Sequence, residues 1–159
     1  MKRNDLMRHV LVFAAFLIIL LSSGLAQVTP PKGTIYLFRR SYAPGNKPSV
    51  ILDGTRIARM QSGSYFSILV DAGVHRLEST PHSQMNASLN FEEEMTDIDV
   101  PAGKTVYVEL TFAEARWLKH ARFTPTPATI ARDRFPALKP LDRKWAFDDR
   151  VEMTKPDFP

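Results

Sequence analysis

Pro48 to His75 reads PSVILDGTRIARMQSGSYFSILVDAGVH, and this stretch decides the fold class. Three turn signals, Asp53-Gly54, Ser62-Gly63-Ser64 and Asp71-Ala72-Gly73, are each flanked by short apolar runs. Asp-Gly between such runs is the strongest short-range hairpin signal, because both loop residues must take up positive φ. It predicts Ser49 to Leu52 and Thr55 to Met60 as paired strands. Tyr65 to Val70 alternates cleanly, with Phe66, Ile68 and Val70 on one face and Tyr65, Ser67 and Leu69 on the other. Val74 to Ser79 is the next strand, carrying His75 and Leu77 on the same side.

Working outward, Thr34 to Arg40 (TIYLFRR) is β-branched, aromatic and continuous, the pattern of a strand buried on both faces. Ser41 to Lys47 is a loop, and so is Thr80 to Asn86. Ala87 to Val100 reads as one long strand or a bulged pair, with Ala87, Leu89 and Phe91 inward before an acidic stretch. After the turn Pro101-Ala102-Gly103-Lys104, Thr105 to Ala113 alternates best of all, with Val106, Val108, Leu110 and Phe112 facing one way. A strand over Trp117 to Phe123 is expected to hairpin onto it. Thr126-Pro127 predicts the start of a short helix, a capping hydroxyl followed by proline at the first position, running to Phe135 and stopped by Pro136. From Ala137 the chain is proline-punctuated and charge-balanced, and Trp145 and Phe147 suggest that it docks back on the domain. Short strands with turns every eight to twelve residues or so indicate an all-β protein. The expected architecture is an immunoglobulin-like or prealbumin-like antiparallel β-sandwich over 34–135, with a short C-terminal helix and a docking tail over 136–159.

The first 26 residues read as a secretory signal. Lys2, Arg3 and Arg8 precede the apolar run Val10 to Leu21, and Ser22-Ser23-Gly24-Leu25-Ala26 supplies small residues for cleavage before Gln27. A spanning helix wants about 20 apolar residues, and this run breaks earlier, so cleavage is expected; left uncleaved, the segment would be the membrane contact. Residues 27–33 read as a linker. The whole chain has 159 residues, with 21 Lys+Arg against 17 Asp+Glu. Without the leader these become 18 and 16, a net charge of +2, which gives no argument for nucleic-acid binding. The absence of cysteine excludes disulfides, thiol catalysis, cysteine metal sites and lipidation at a cysteine.

In their order, Tyr36-Leu37-Phe38-Arg39, Pro48 to Gly54, Ile57-Ala58, Gly63-Ser64-Tyr65-Phe66, Gly73-Val74-His75 and Ala102 to Tyr107 resemble the bacterial family termed domain of unknown function 2846. The match spans Thr34 to Phe135. It implies a small exported β-sandwich and carries no catalytic residue with it. The chain departs from the family in lacking a lipidation cysteine, and in having Asp71-Ala72-Gly73 where the family has a Pro-Gly turn.

No catalytic motif is present: no G-x-S-x-G, H-E-x-x-H, phosphate loop or dinucleotide fingerprint. Four constellations carry chemistry. Glu92-Glu93-Glu94 with Asp97 and Asp99 could ligate Ca²⁺. Successive strand residues diverge, however, and a charged edge strand is the preferred reading. His75 and His82, with Glu92 or Glu94, could serve Zn²⁺ or general-base chemistry, although His75 is read as capping the core. Arg116, Trp117, Lys119, His120, Arg122, Arg132 and Arg134 form a basic and aromatic set that would suit an anionic glycan, headgroup or acidic protein, although an ordinary wet surface with long side chains covering apolar area is the preferred reading. Tyr36, Tyr42, Tyr65 and Tyr107 could build a stacking platform on a sheet face, but packing under the C-terminal tail is the preferred reading. Asn86-Ala87-Ser88 matches a glycosylation acceptor, which matters only in a eukaryotic secretory pathway.

The function expected from these features is that of an exported, periplasmic or extracellular, non-enzymatic module binding a protein or glycan of the bacterial cell envelope. Its binding residues would be Arg116, Trp117, Lys119, Arg122, Arg132 and Arg134, or Tyr65 and Tyr107. No cofactor, metal or nucleic-acid partner is expected. The alternatives are a metal-dependent or hydrolytic enzyme built on His75, His82 and Glu92 or Glu94, and a structural envelope protein acting through Asp142 to Pro159.

Overall fold

The continuous apolar strand expected at Thr34 runs from Lys32 to Arg39 (β1), beginning inside the segment read as a linker, and Ile35 to Arg39 are buried without a break. The computed structural model describes residues 30–41, 47–80, 95–115 and 118–158, without the side chains of 80, 113–115 and 118–120. Strands β2 (Ser49–Leu52) and β3 (Thr55–Arg59) form the expected hairpin, with φ of 49° at Asp53 and 76° at Gly54, a conformation that Gly54 adopts without cost. Then come β4 (Ser64–Asp71), β5 (Gly73–Thr80), β6 (Met95–Val100), β7 (Thr105–Ala115) and β8 (Leu118–Thr126). The strand expected from Ala87 is described from Met95 onward, and 81–94 lie outside the described residues.

The strands make two sheets. With the tail strands β9 (Lys139–Pro140) and β10 (Val151–Glu152), one has the order β10-β4-β1-β7-β8, β9 also lying on β4, and the other has the order β3-β2-β5-β6. The all-β sandwich is therefore as expected, but its first sheet is mixed: β1 and β7 pair in parallel, Tyr36 beside Tyr107. Between those strands the chain runs through β2 and β3 in the second sheet, back to β4 in the first, and through β5 and β6 in the second, a connection long enough for the crossover that a parallel pair requires. Between the sheets lie Ile35 and Leu37, the Phe66–Ile68–Val70 face, Leu77, Ile98, Val108, Leu110 and Phe123. A register shift in the β2–β3 pair at Val50 and Ile51 lets the adjacent Ile57 and Ala58 both turn inward.

A third layer covers the outer face of the first sheet. Helix α1 spans Ala128–Arg134 and passes into a 3₁₀ turn, Phe135–Ala137. The expected boundaries need correcting. Thr126 still belongs to β8, its hydroxyl donating to the Thr124 carbonyl at 3.1 Å, so Pro127 is the N-cap. Pro136 does not end the helical path but is the second residue of the 3₁₀ turn, where its missing N–H is no loss. Phe135 drops onto Tyr36, Phe38, Tyr65 and Tyr107 with ring centroids 5.0–6.1 Å away. Phe158, near the chain's end, stacks on Tyr107 at 5.2 Å. Glu109, buried on the same face, accepts hydrogen bonds from Arg40 and from Arg134, tying α1 to β7.

The tail is woven into the sandwich. Strand β9 (Lys139–Pro140) runs along β4, and Leu141 N–H donates to the Tyr65 carbonyl at 2.8 Å. A 3₁₀ turn at Arg143–Trp145 carries the chain to β3, where Phe147 N–H donates to the Ile57 carbonyl at 2.8 Å. It then returns to β4 as β10 (Val151–Glu152). Leu141 and Val151 are fully part of the inter-sheet core, with Trp145, Ala146 and Met153 packed against it.

Two substitutions test this packing. Phe135→Ala should lower unfolding free energy by about 3–5 kcal/mol and flatten the near-ultraviolet circular dichroism that the packed rings produce. Gly33 sits where a Cβ would meet Val100 Cγ1 at 2.5 Å and the Pro101 carbonyl at 2.9 Å. Gly33→Ala should therefore cost about 1–3 kcal/mol, the range for overpacking. Denaturant titration checks both, and an unchanged midpoint in either variant contradicts the contact on which it rests.

Candidate functional site

The structure buries some of the residues that the sequence grouped and pairs others internally. Tyr65 and Tyr107 are only 4% exposed, and with Tyr36 they lie beneath Phe135 and Phe158, so they form no stacking platform. Strand parity put them on the outer face of the sheet, and the tail then covered that face. Arg134 is committed to Glu109. Arg132 and Arg122 are exposed, on α1 and β8 respectively. Lys119 and His120 lie on the backbone of β8 opposite Glu114 and Ala113, whereas Arg116, Trp117, Tyr42, His82 and Glu92 to Glu94 lie outside the described residues. Asp97 is on β6 and pairs with Arg76 at 2.9 Å. Among the described residues no group of three or more His, Cys, Asp or Glu is arranged to hold a metal ion.

His75 is held at both ring nitrogens. Nδ1 is 2.7 Å from Asp53 Oδ2, and Nε2 is 2.7 Å from the Asp71 carbonyl oxygen. Both partners are acceptors, so each nitrogen satisfies its contact by donating, and the ring that does this twice is the imidazolium. Burial works against the charged ring, but the bonds to Asp53 and Asp71 outweigh it and raise the His75 pKa. For Asp53 burial again opposes, and the bonds from His75 and the Arg76 N–H bring its carboxyl below the usual range. The result is a clip joining the β2–β3 turn to the end of β4. Neither nitrogen is open to take a proton from a substrate.

A different surface forms where the tail crosses β3. The backbone bond from Phe147 to Ile57 and the bridge between Ala146 and Ala58 bring two rings beside the cations of the hairpin. Lys47 Nζ lies 4.4 Å from the Trp145 ring centroid, and Arg56 Cζ lies 4.8 Å from that of Phe147. Arg59 stands 6.0 Å from both rings, and Lys144 is 5.9 Å from Trp145 while paired with Asp142 at 2.7 Å. Phe147 is 44% exposed. Trp145 and Phe147 were read from the sequence as docking residues, and the cations were missed because they are contributed by residues ninety positions or so earlier. The available signal was Arg56-x-x-Arg59 on a hairpin strand beside a loop lysine.

Compared with models of protein families, with curated proteins and with solved structures, the chain gives no match.

The His75 clip predicts a specific pH profile. Its folded pKa lies above the unfolded value of about 6.5, so its contribution is complete below that pH and is lost as pH rises through the folded value. Asp53, with its lowered pKa, contributes above the unfolded carboxylate range of about 4 and loses that contribution as pH falls. His75→Gln should thus cost about 1 kcal/mol near pH 5, a modest sum because Asp53 is half exposed, and the deficit should shrink above neutrality. Thermal unfolding of both proteins across this range measures it; a deficit independent of pH would mean that His75 acts by packing alone.

Proposed function

We propose that the chain is an exported, non-enzymatic β-sandwich module that binds a component of the bacterial cell envelope through the surface where the tail crosses β3. Export rests on the leader-like N-terminus, and the envelope setting on the resemblance to domain of unknown function 2846.

One observation carries the reading. Lys47 and Arg56 are seated on rings and have no carboxylate partner among the described residues. A ring contact leaves each cation N–H donors that are not bonded to a protein oxygen, so both side chains can still hydrogen-bond a ligand while the contact restricts where they sit. Other arginines spend theirs internally: Arg40 and Arg134 on Glu109, Arg76 on Asp97, Arg143 on Asp149 and Arg150 on Asp148. Ordered donors facing solvent are what a recognition surface needs, because less side-chain freedom remains to be lost on binding.

The test is saturable capture of envelope material by the full chain and by two double variants. Lys47→Glu with Arg56→Glu should abolish capture and leave the circular dichroism spectrum unchanged. Arg122→Glu with Arg132→Glu, on the side suggested by the sequence, should leave capture intact. The opposite pattern would move the binding surface to β8 and α1 and overturn the proposal.

A further inference from the structure

Among the described residues nothing covers the outer face of the second sheet. The third layer lies on the first sheet, and the strap meets the second only along β3. Val50, Leu52, Leu77, Ile98 and Val100 point into the core, so the strand residues alternating with them turn outward. Arg56, Ile51, Glu78 and Met95 stand in one row across the four strands. Farther along β5 and β6 come Arg76 beside Asp97 and Val74 beside Asp99. Val74 is 67% exposed and Met95 53%, the two most exposed large apolar side chains among the described residues, and both lie on this face.

The charges of the face are divided between its ends. At the β3 end Arg56 lies over Phe147, and Lys47 lies over Trp145 just before β2; neither has a carboxylate partner among the described residues. At the β6 end Asp97 is neutralised by Arg76 at 2.9 Å, whereas Glu78 and Asp99 make no ion pair among the described residues. A partner of a single sign laid across the face is attracted at one end and repelled at the other. A second copy of the chain carries both ends. A two-fold axis lying in the contact, across the line that joins the ends, sets each end on its opposite, and an isologous contact makes both pairings at once. Four strands about 4.8 Å apart give a face narrower than a standard interface, so the association is weak and concentration-dependent.

We infer that two copies of this chain pair through the outer faces of their second sheets, Lys47 and Arg56 of each copy set against Glu78 and Asp99 of the other, with Ile51, Val74 and Met95 inside the contact. The pairing shares its cations with the envelope-binding role proposed above but does not depend on it. A copy engaged in this way cannot offer Lys47 and Arg56 to an envelope component, so capture belongs to the monomer.

Sedimentation equilibrium of the full chain tests the pairing. A monomer–dimer equilibrium is expected, weakened by added salt. Lys47→Glu with Arg56→Glu should weaken it tenfold or more, and so, separately, should Glu78→Lys with Asp99→Lys, each with an unchanged circular dichroism spectrum. An equimolar mixture of the two variants should recover the parent affinity, because every reversed end then meets an opposite one; a misfolded variant could not do this. A chain that stays monomeric up to about 1 mM, an affinity indifferent to either reversal, or two variants that fail to rescue one another would overturn the inference. Glu78→Lys with Asp99→Lys should also retain envelope capture. If the chain is monomeric while capture depends on Lys47 and Arg56, the pairing fails and the binding role stands; if the chain pairs while capture is indifferent to them, the binding role fails and the pairing stands.

Discussion

Strand β1 is apolar on both faces, and the rest of the structure answers that constraint. Ile35 and Leu37 point into the space between the sheets, while Tyr36 and Phe38 point the opposite way. A two-layer sandwich would leave the second pair in water. The chain past β8 supplies the missing layer, and Phe135 is its centre, touching Tyr36, Phe38, Tyr65, Tyr107 and Phe158. Rings in tilted and edge-on arrangements add attraction beyond the area they bury. Glu109 belongs to the same solution. Burying a carboxylate is costly unless it is paired, and Arg40 and Arg134 pair it while fixing the helix in place.

The tail solves a second problem with the same residues. On one side of the sandwich, β4 and β3 would be bare edges, open to pairing with another chain. Strands β9 and β10 occupy β4, and the Ala146–Phe147 segment occupies β3, so a single strap protects both sheets. Because Leu141 and Val151 enter the inter-sheet core, the strap is part of the domain. The cation and ring surface follows from this route: Phe147 reaches Arg56 because its N–H completes the bonding of β3.

Periodicity in the sequence was enough for most of the longer strands and their inward faces. The Asp53-Gly54 hairpin, the Phe66–Ile68–Val70 face and the β7 alternation form where local pattern and tertiary packing agree. Coverage was legible only in outline: Trp145 and Phe147 signalled a docking tail and packing under it was the preferred reading of the tyrosines, but its route was not. Alternation says which side of a sheet Tyr65 and Tyr107 occupy, but not whether a later segment lies over that side. The two-residue strands β9 and β10 leave no periodic trace, and the shift that turns both Ile57 and Ala58 inward breaks the period-two rule at one point. Charge was misread for the same reason. Arg134 looks like a surface cation in sequence, and only the buried Glu109 beside it reveals a structural role.

His75 and Arg56 show how bonding capacity separates a structural group from an available one. The imidazole has two polar atoms, and both are taken, by Asp53 and by the Asp71 carbonyl, so its chemistry is complete inside the protein. The guanidinium has five N–H donors, and its contact with Phe147 is to a ring, which leaves donors for a ligand. An exposed arginine on a flexible stem would pay rotamer entropy when it engaged a ligand. The ring contact makes part of that payment during folding, when the strap closes on β3. The energy that stabilises the sandwich edge thus also orders the donors, and the surface is as rigid as the strap that carries it.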